Sequence, residues 1–165
     1  MPNFTRDQFK TLFSYHFHVR RVMLDCASRI SEQNYLADPG YGRGSLHSLM
    51  FHVIIASEKS WRIGLATGIR PQRENIEDYP SLAVIASTFE QEEKAWLVML
   101  DNLTSEEIEA QMNLTNLNGR TFLFSRWRIL HHILFHGMQH HSAMAQLLTS
   151  CGQSPGDIDF IFFEG

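Results

Sequence analysis

Apolar residues three and four apart recur along most of this chain, and that period constrains the fold more than any other feature of the sequence. Phe9, Phe13, Phe17, Leu24, Ala27 and Ile30 form one such stripe. Thr5 and Gln8 stand before it at capping-box spacing, so the pattern predicts a first helix over residues 6–32. Leu46, Leu49, Val53, Ala56 and Ile63 form a second stripe between the N-cap candidate Ser45 and the breakers Gly68 and Pro71, predicting a helix from Leu46 to Ala66. Leu82, Ile85, Phe89, Trp96, Met99 and Leu103 form the third. Ser125 and Gly152 bracket a fourth, ending at Ser150. Four long amphipathic helices can bury their apolar faces only against one another, so the expected fold is all-α, a four-helix bundle. Asn118-Gly119, flanked by Met112, Leu114 and Thr115 and by Thr121 to Phe124, predicts a small hairpin between the third and fourth helices.

With 165 residues and 44% apolar content, the chain is long enough for one core without staples, and residues 1–165 are expected to form a single domain. A net charge of −4 without a dense run of Lys or Arg argues against nucleic-acid binding. The N-terminal stretch MPNFTRDQFK has no apolar export core, and no segment is apolar enough to span a bilayer, so a soluble, cytoplasmic protein without membrane contact is expected. Cys26 and Cys151 are far apart and outside any CxxC or Cys-His spacing, which points to plain thiols.

The unusual count is nine histidines, five of them between residues 131 and 141. On a helical wheel His136 and His140 fall within the inward arc centred near Ile133, His132 and His141 at its edges. His131 lies roughly 160° from the centre and is expected in solvent. Four residues apart, His136 and His140 are neighbours on one face and can converge on one ion. His52 lies on the shoulder of the second stripe and is the natural third ligand, whereas His47 points elsewhere. The alternative for each is a core histidine satisfied by a backbone carbonyl. Glu92 interrupts the third stripe and is expected to snorkel to water rather than face a site. His16 and Arg20 lie on the inward face of the first helix and are candidates for a proton carrier and a cation at the site. The alternative is that Arg20 pairs with Glu58 or Glu92 while His16 fills space.

The stretches GSLHSLMFHVIIASEKSW (44–61) and ILHHILFHGMQHHSAMAQLLTSCGQSPGDIDFI (129–161) resemble the two signature regions of the DinB/YfiT-like family. So does the closing Gly152, Pro155 and Asp159 pattern. Nearly the whole chain fits that family's order of helices. The resemblance implies that His52, His136 and His140 bind one divalent transition metal, zinc or nickel first among the candidates. It also implies an activity like that of bacillithiol S-transferases or mycothiol-dependent maleylpyruvate isomerase, acting on a small molecule with a low-molecular-weight thiol. Metal-dependent hydrolysis, or a metal-stabilised bundle without turnover, is the alternative. Two positions depart from the family pattern: His141 stands where arginine is frequent, and Gly137 follows the first ligand of the pair. The apolar tail, Ile158 and Phe160 to Phe163, together with the frequent dimers of the family, leads us to expect a homodimer. No Ser-His-Asp triad, phosphate loop or dinucleotide fingerprint is present.

Overall fold

A computed structural model describes residues 4–165. Residues 1–3, part of the N-terminal stretch read above for an export signal and of the expected domain, lie outside the described residues. The described residues are mostly helical with one two-stranded sheet.

Helix α1 runs over Arg6–Ser28 and begins with the expected reciprocal cap, in which the Thr5 hydroxyl accepts from Gln8 N–H and the Gln8 side chain accepts from Thr5 N–H. It ends four residues earlier than its apolar stripe suggests. Arg29 and Ile30 donate three residues back, to Cys26 and Ala27, tightening the last turn, and Ser31 caps a new short helix α2 over Glu32–Leu36. The expected helix from Leu46 to Ala66 forms without interruption, but its winding changes along its length. Helix α3 (Leu46–Phe51) passes into a wider π-wound segment (His52–Lys59) before resuming as α4 (Ser60–Thr67). Gly68 at φ 76° closes it by donating to Gly64 O, a conformation that a side chain at position 68 would strain.

Helix α5 (Leu82–Asn102) starts at the Ser81 cap, and α6 (Ser105–Glu109) at a second reciprocal cap made by Thr104 and Glu107. The hairpin forms as expected. Strand β1 (Gln111–Thr115) pairs antiparallel with β2 (Thr121–Ser125), with Asn113 opposite Leu123, around a turn in which Gly119 has φ 74°. Helix α7 (Arg126–Ser150) follows directly.

Helix α1 packs on α5 and α7, while the α3-to-α4 helix lies against α5 and α7 from the other side. Between them Phe13 stacks on Trp96 with ring centroids 4.9 Å apart, and Phe9, Phe17, Met23, Ile85, Phe89, Leu130 and Met144 are all buried. Each such side chain contributes roughly 1.5–3 kcal/mol through removal of its apolar surface from water. Glu92 corrects the sequence reading. It is 8% exposed and takes Arg62 of α4 in a bidentate pair, Nε to Oε2 at 2.6 Å and a terminal amino group to Oε1 at 2.9 Å. Its place in the apolar stripe is that of a buried carboxylate with a cation, not of a chain reaching water. Among the described residues no helix is long and apolar enough to cross a membrane.

Candidate metal centre

The three histidines picked out in the sequence come together. His52 Nε2 lies 3.2 Å from His136 Nε2, and His140 Nε2 lies 3.1 Å from the same atom. One ring nitrogen from each of the three lies within 4.8 Å of the others, close enough to hold a metal ion. His136 and His140 are one turn apart on α7, with ring centroids 4.4 Å apart. His52 arrives from the first turn of the π-wound segment. That winding also explains a contact no wheel anticipates: Ser57 Oγ lies 3.3 Å from His136 Nδ1. On an α-helix, residues 52 and 57 would point about 140° apart at 100° per residue. A π turn, hydrogen-bonded to the fifth residue, brings positions five apart onto one side. His52 and Ser57 therefore face the same imidazole.

With Ser57 accepting from Nδ1–H, His136 turns a bare Nε2 towards the cluster. That single lone pair faces two neighbouring Nε2 atoms and accepts a well-aligned N–H from one of them at most. One cation accepts all three lone pairs. In a tetrahedral imidazole site with metal–nitrogen bonds of about 2.0–2.1 Å, ligand nitrogens stand roughly 3.3 Å apart, close to the separations found here. The donor set fits a divalent transition metal.

Electrostatics favours the same form. Burial and then the Arg43 charge lower His52 from 6.5 to about 4. Burial, His140 and His132 lower His136 to about 4, against a weaker opposite pull from Glu58. His140 is also lowered, by burial and then by Arg43. All three imidazoles are neutral at neutral pH, which is the form that ligates. Two open cavities flank the cluster, one of about 730 Å³ reaching His52 and His136, the other of about 530 Å³ reaching His136 and His140.

His16 and Arg20 are not among these residues. They lie behind the cluster in a closed network with Glu58 of the π-wound segment and His141 of α7. Arg20 donates to both Glu58 oxygens at 2.7 and 3.2 Å and through Nε to His141 Nε2 at 2.9 Å. His16 Nε2–H donates to Glu58 Oε1 at 2.8 Å. All four residues are buried. Burial raises the Glu58 pKa, but Arg20 and His16 outweigh it and hold the carboxyl at about 2. Of the two carboxylates weighed for Arg20, Glu58 is the partner. His16 does more than fill space, since it donates to that carboxylate. Its ring sits over Gly137, where a Cβ would come within 2.1 Å of His16 Cε1, so the glycine between the two α7 histidines is what admits it. His141, expected at the edge of the arc, is fully buried and stacks on His16 at 4.8 Å.

His131 is another correction. Instead of projecting into solvent it is partly covered by Phe4 and Phe9, at 4.6 and 4.9 Å, and bonds Trp127 O through Nδ1. His132 lies beside Trp61, ring centroids 5.2 Å apart, on the wall of the larger cavity. Ser57, the role of Gly137 and the cavity arginines were not singled out from the sequence. No periodicity marks them, because each acquires its neighbours through tertiary packing.

The family model of the DinB family matches residues 1–165, and the chain belongs to that family. A solved structure of a DinB-like protein, YjoA from Bacillus subtilis, superposes with a TM-score of 0.63 at 16% identity, covering 87% of this chain and 93% of the other. It is similar in fold. No curated protein matches the chain.

Proposed function

We propose that this DinB family member is a single-domain four-helix bundle holding one divalent transition metal ion, zinc or nickel, on His52, His136 and His140. We read it as an enzyme that acts on a small molecule together with a low-molecular-weight thiol. The observation that carries the metal reading is the convergence of three neutral imidazoles, one ring nitrogen of each within 4.8 Å of the others. Three protein ligands leave a coordination position open, as in catalytic rather than structural sites, and the flanking cavities give that position access. A bound ion of this kind acidifies a thiol or water and polarises a carbonyl.

The protein's own contributions are the Ser57 contact that orients His136, the Arg20–Glu58–His16–His141 network that braces α1 against the π-wound segment and α7, and the cavity walls that seat reactants. Sulfur is a soft ligand suited to these ions, which favours a thiol at the open position. To test this, the protein is loaded with cobalt and titrated with bacillithiol, mycothiol and glutathione. We expect a sulfur-to-metal charge-transfer band that is absent in His52→Ala. No spectral change with any of the three, in protein shown to hold cobalt, would leave hydrolysis or a purely structural ion.

We further propose a cytoplasmic homodimer. Tyr15 holds the tail by donating to Ile158 O at 2.6 Å, but Phe160, Ile161 and Phe162 remain 47%, 82% and 69% exposed, an apolar strip suited to a second copy. Light scattering at several concentrations should give twice the chain mass, and a constant monomer mass would remove the dimer.

A further inference from the structure

The larger cavity beside the histidine cluster is lined by three arginines, Arg43, Arg70 and Arg73. None of them forms an ion pair among the described residues. Two carboxylates share the wall, but Glu74 is engaged by Lys59 at 2.8 Å and by the Tyr79 hydroxyl, and Glu77 is exposed and makes no ion pair there. The cavity wall therefore carries an excess of positive charge.

Arg70 is the built element of this wall. Its backbone N–H donates to Thr115 O at 2.9 Å, its Nε donates to Ser60 Oγ at 3.1 Å, and its guanidinium lies over the Trp61 ring at 4.3 Å. The first anchors the main chain, and the other two orient the guanidinium while spending only Nε. Both terminal amino groups are without a protein partner among the described residues. A half-buried guanidinium beside a second arginine is uncomfortable as a bare cation, and burial and then Arg73 both lower its pKa. A planar fork with its two outer donors free matches an oxyanion in bidentate fashion, a role that lysine cannot reproduce. His132 and His136 line the same cavity, so whatever Arg70 holds lies beside the cluster.

We infer that this cavity takes its small molecule by an oxyanion, a carboxylate or a phosphate, seated on the outer donors of Arg70 with Arg43 and Arg73 supplying further positive charge. The inference names the substrate class of the site proposed above. It rests on that reading for its chemistry but not for its binding.

The test is calorimetric titration of succinate and of inorganic phosphate, with uncharged succinamide as control, into metal-stripped and metal-loaded protein at low salt. We expect at least one oxyanion to bind the metal-stripped protein, the preferred one identifying the group, and succinamide not to bind. Arg70→Gln should weaken binding by about tenfold or more, and Arg70→Lys by less, since it keeps the charge and loses the fork. Arg6→Gln, at the start of α1, should change nothing. Thermal melts of the Arg70 variants separate lost binding from lost fold. Equal affinity in Arg70→Gln and the parent, or no oxyanion bound in either metal state, would overturn the inference. Arg70-dependent binding in protein that takes up no metal would keep it and overturn the metal reading. Binding seen only with metal and indifferent to Arg70 would do the reverse.

Discussion

Two histidine pairs built on α7 have opposite environments, one stacked across to α1 and one edge-on within α7. His141 meets His16 at 4.8 Å between ring centroids, fully buried, with Arg20 and Glu58 closing the network around them. His136 meets His140 at 4.4 Å, half-buried, with His52 opposite, no carboxylate in hydrogen-bond contact, and cavities on two sides. The first pair has an anion and a cation from its own chain, so it braces helices. The second brings three imidazole nitrogens within 4.8 Å of one another with no carboxylate bonded to them among the described residues. Similar side chains on one helix thus serve different ends, and what separates them is which charges the packing delivers to each.

The comparison breaks most severely at Glu58. Glu58→Gln leaves Arg20 buried without its anion, and we expect a loss of about 3–5 kcal/mol in urea unfolding. Acid reaches part of the same effect. Because the folded carboxyl sits at about 2 against an ordinary 4.5, its contribution is full above pH 4.5 and is lost as pH falls towards 2. His141 works at higher pH, together with His52, His136 and His140, which are lowered as well. Burial, then Arg20, keeps His141 neutral when folded, so the unfolded chain alone takes up its proton as pH falls through 6.5, and stability falls from there. Urea unfolding across pH should show both phases, with the one below 4.5 missing in Glu58→Gln. A parent and a variant with parallel curves would mean that Glu58 is not ion-paired.

A smaller effect is expected at Gly137. A Cβ there overlaps His16, which cannot retreat without leaving Glu58, so Gly137→Ala should lose about 1–3 kcal/mol. Truncating the obstacle sharpens this. In a His16→Ala background the added Gly137→Ala change should cost much less, and an equal cost in both backgrounds would contradict the contact.

Much of this was legible in the sequence because it is periodic or local. The starts of α1 and α5 follow from Thr5 and Ser81, the hairpin from Asn118-Gly119, and the meeting of His136 and His140 from their spacing of four, while Ser125 stands at the start of α7 without a side-chain cap bond. What was illegible depends on neighbours. The π winding over His52–Lys59 leaves no periodic trace, yet it puts Ser57 beside His136 and Glu58 towards α1. His141 was placed at the arc's edge because the wheel assumes one inward direction, whereas α7 is packed by α1 on one side and by the α3-to-α4 helix on the other. His131 was assigned to solvent for the same reason, since Phe4 and Phe9 reach it from the start of the chain. Glu92 reads as a solvent-seeking side chain until Arg62, 30 residues away, supplies the cation.

The central claim is that the open trio, and not the closed network, holds the ion. Elemental analysis of protein purified without chelator tests it most directly. We expect close to one divalent transition metal per chain in the parent and in His131→Ala, and near none in His136→Ala or His140→Ala, each of which removes half of the α7 chelate. Stoichiometric metal retained in folded His140→Ala would contradict it.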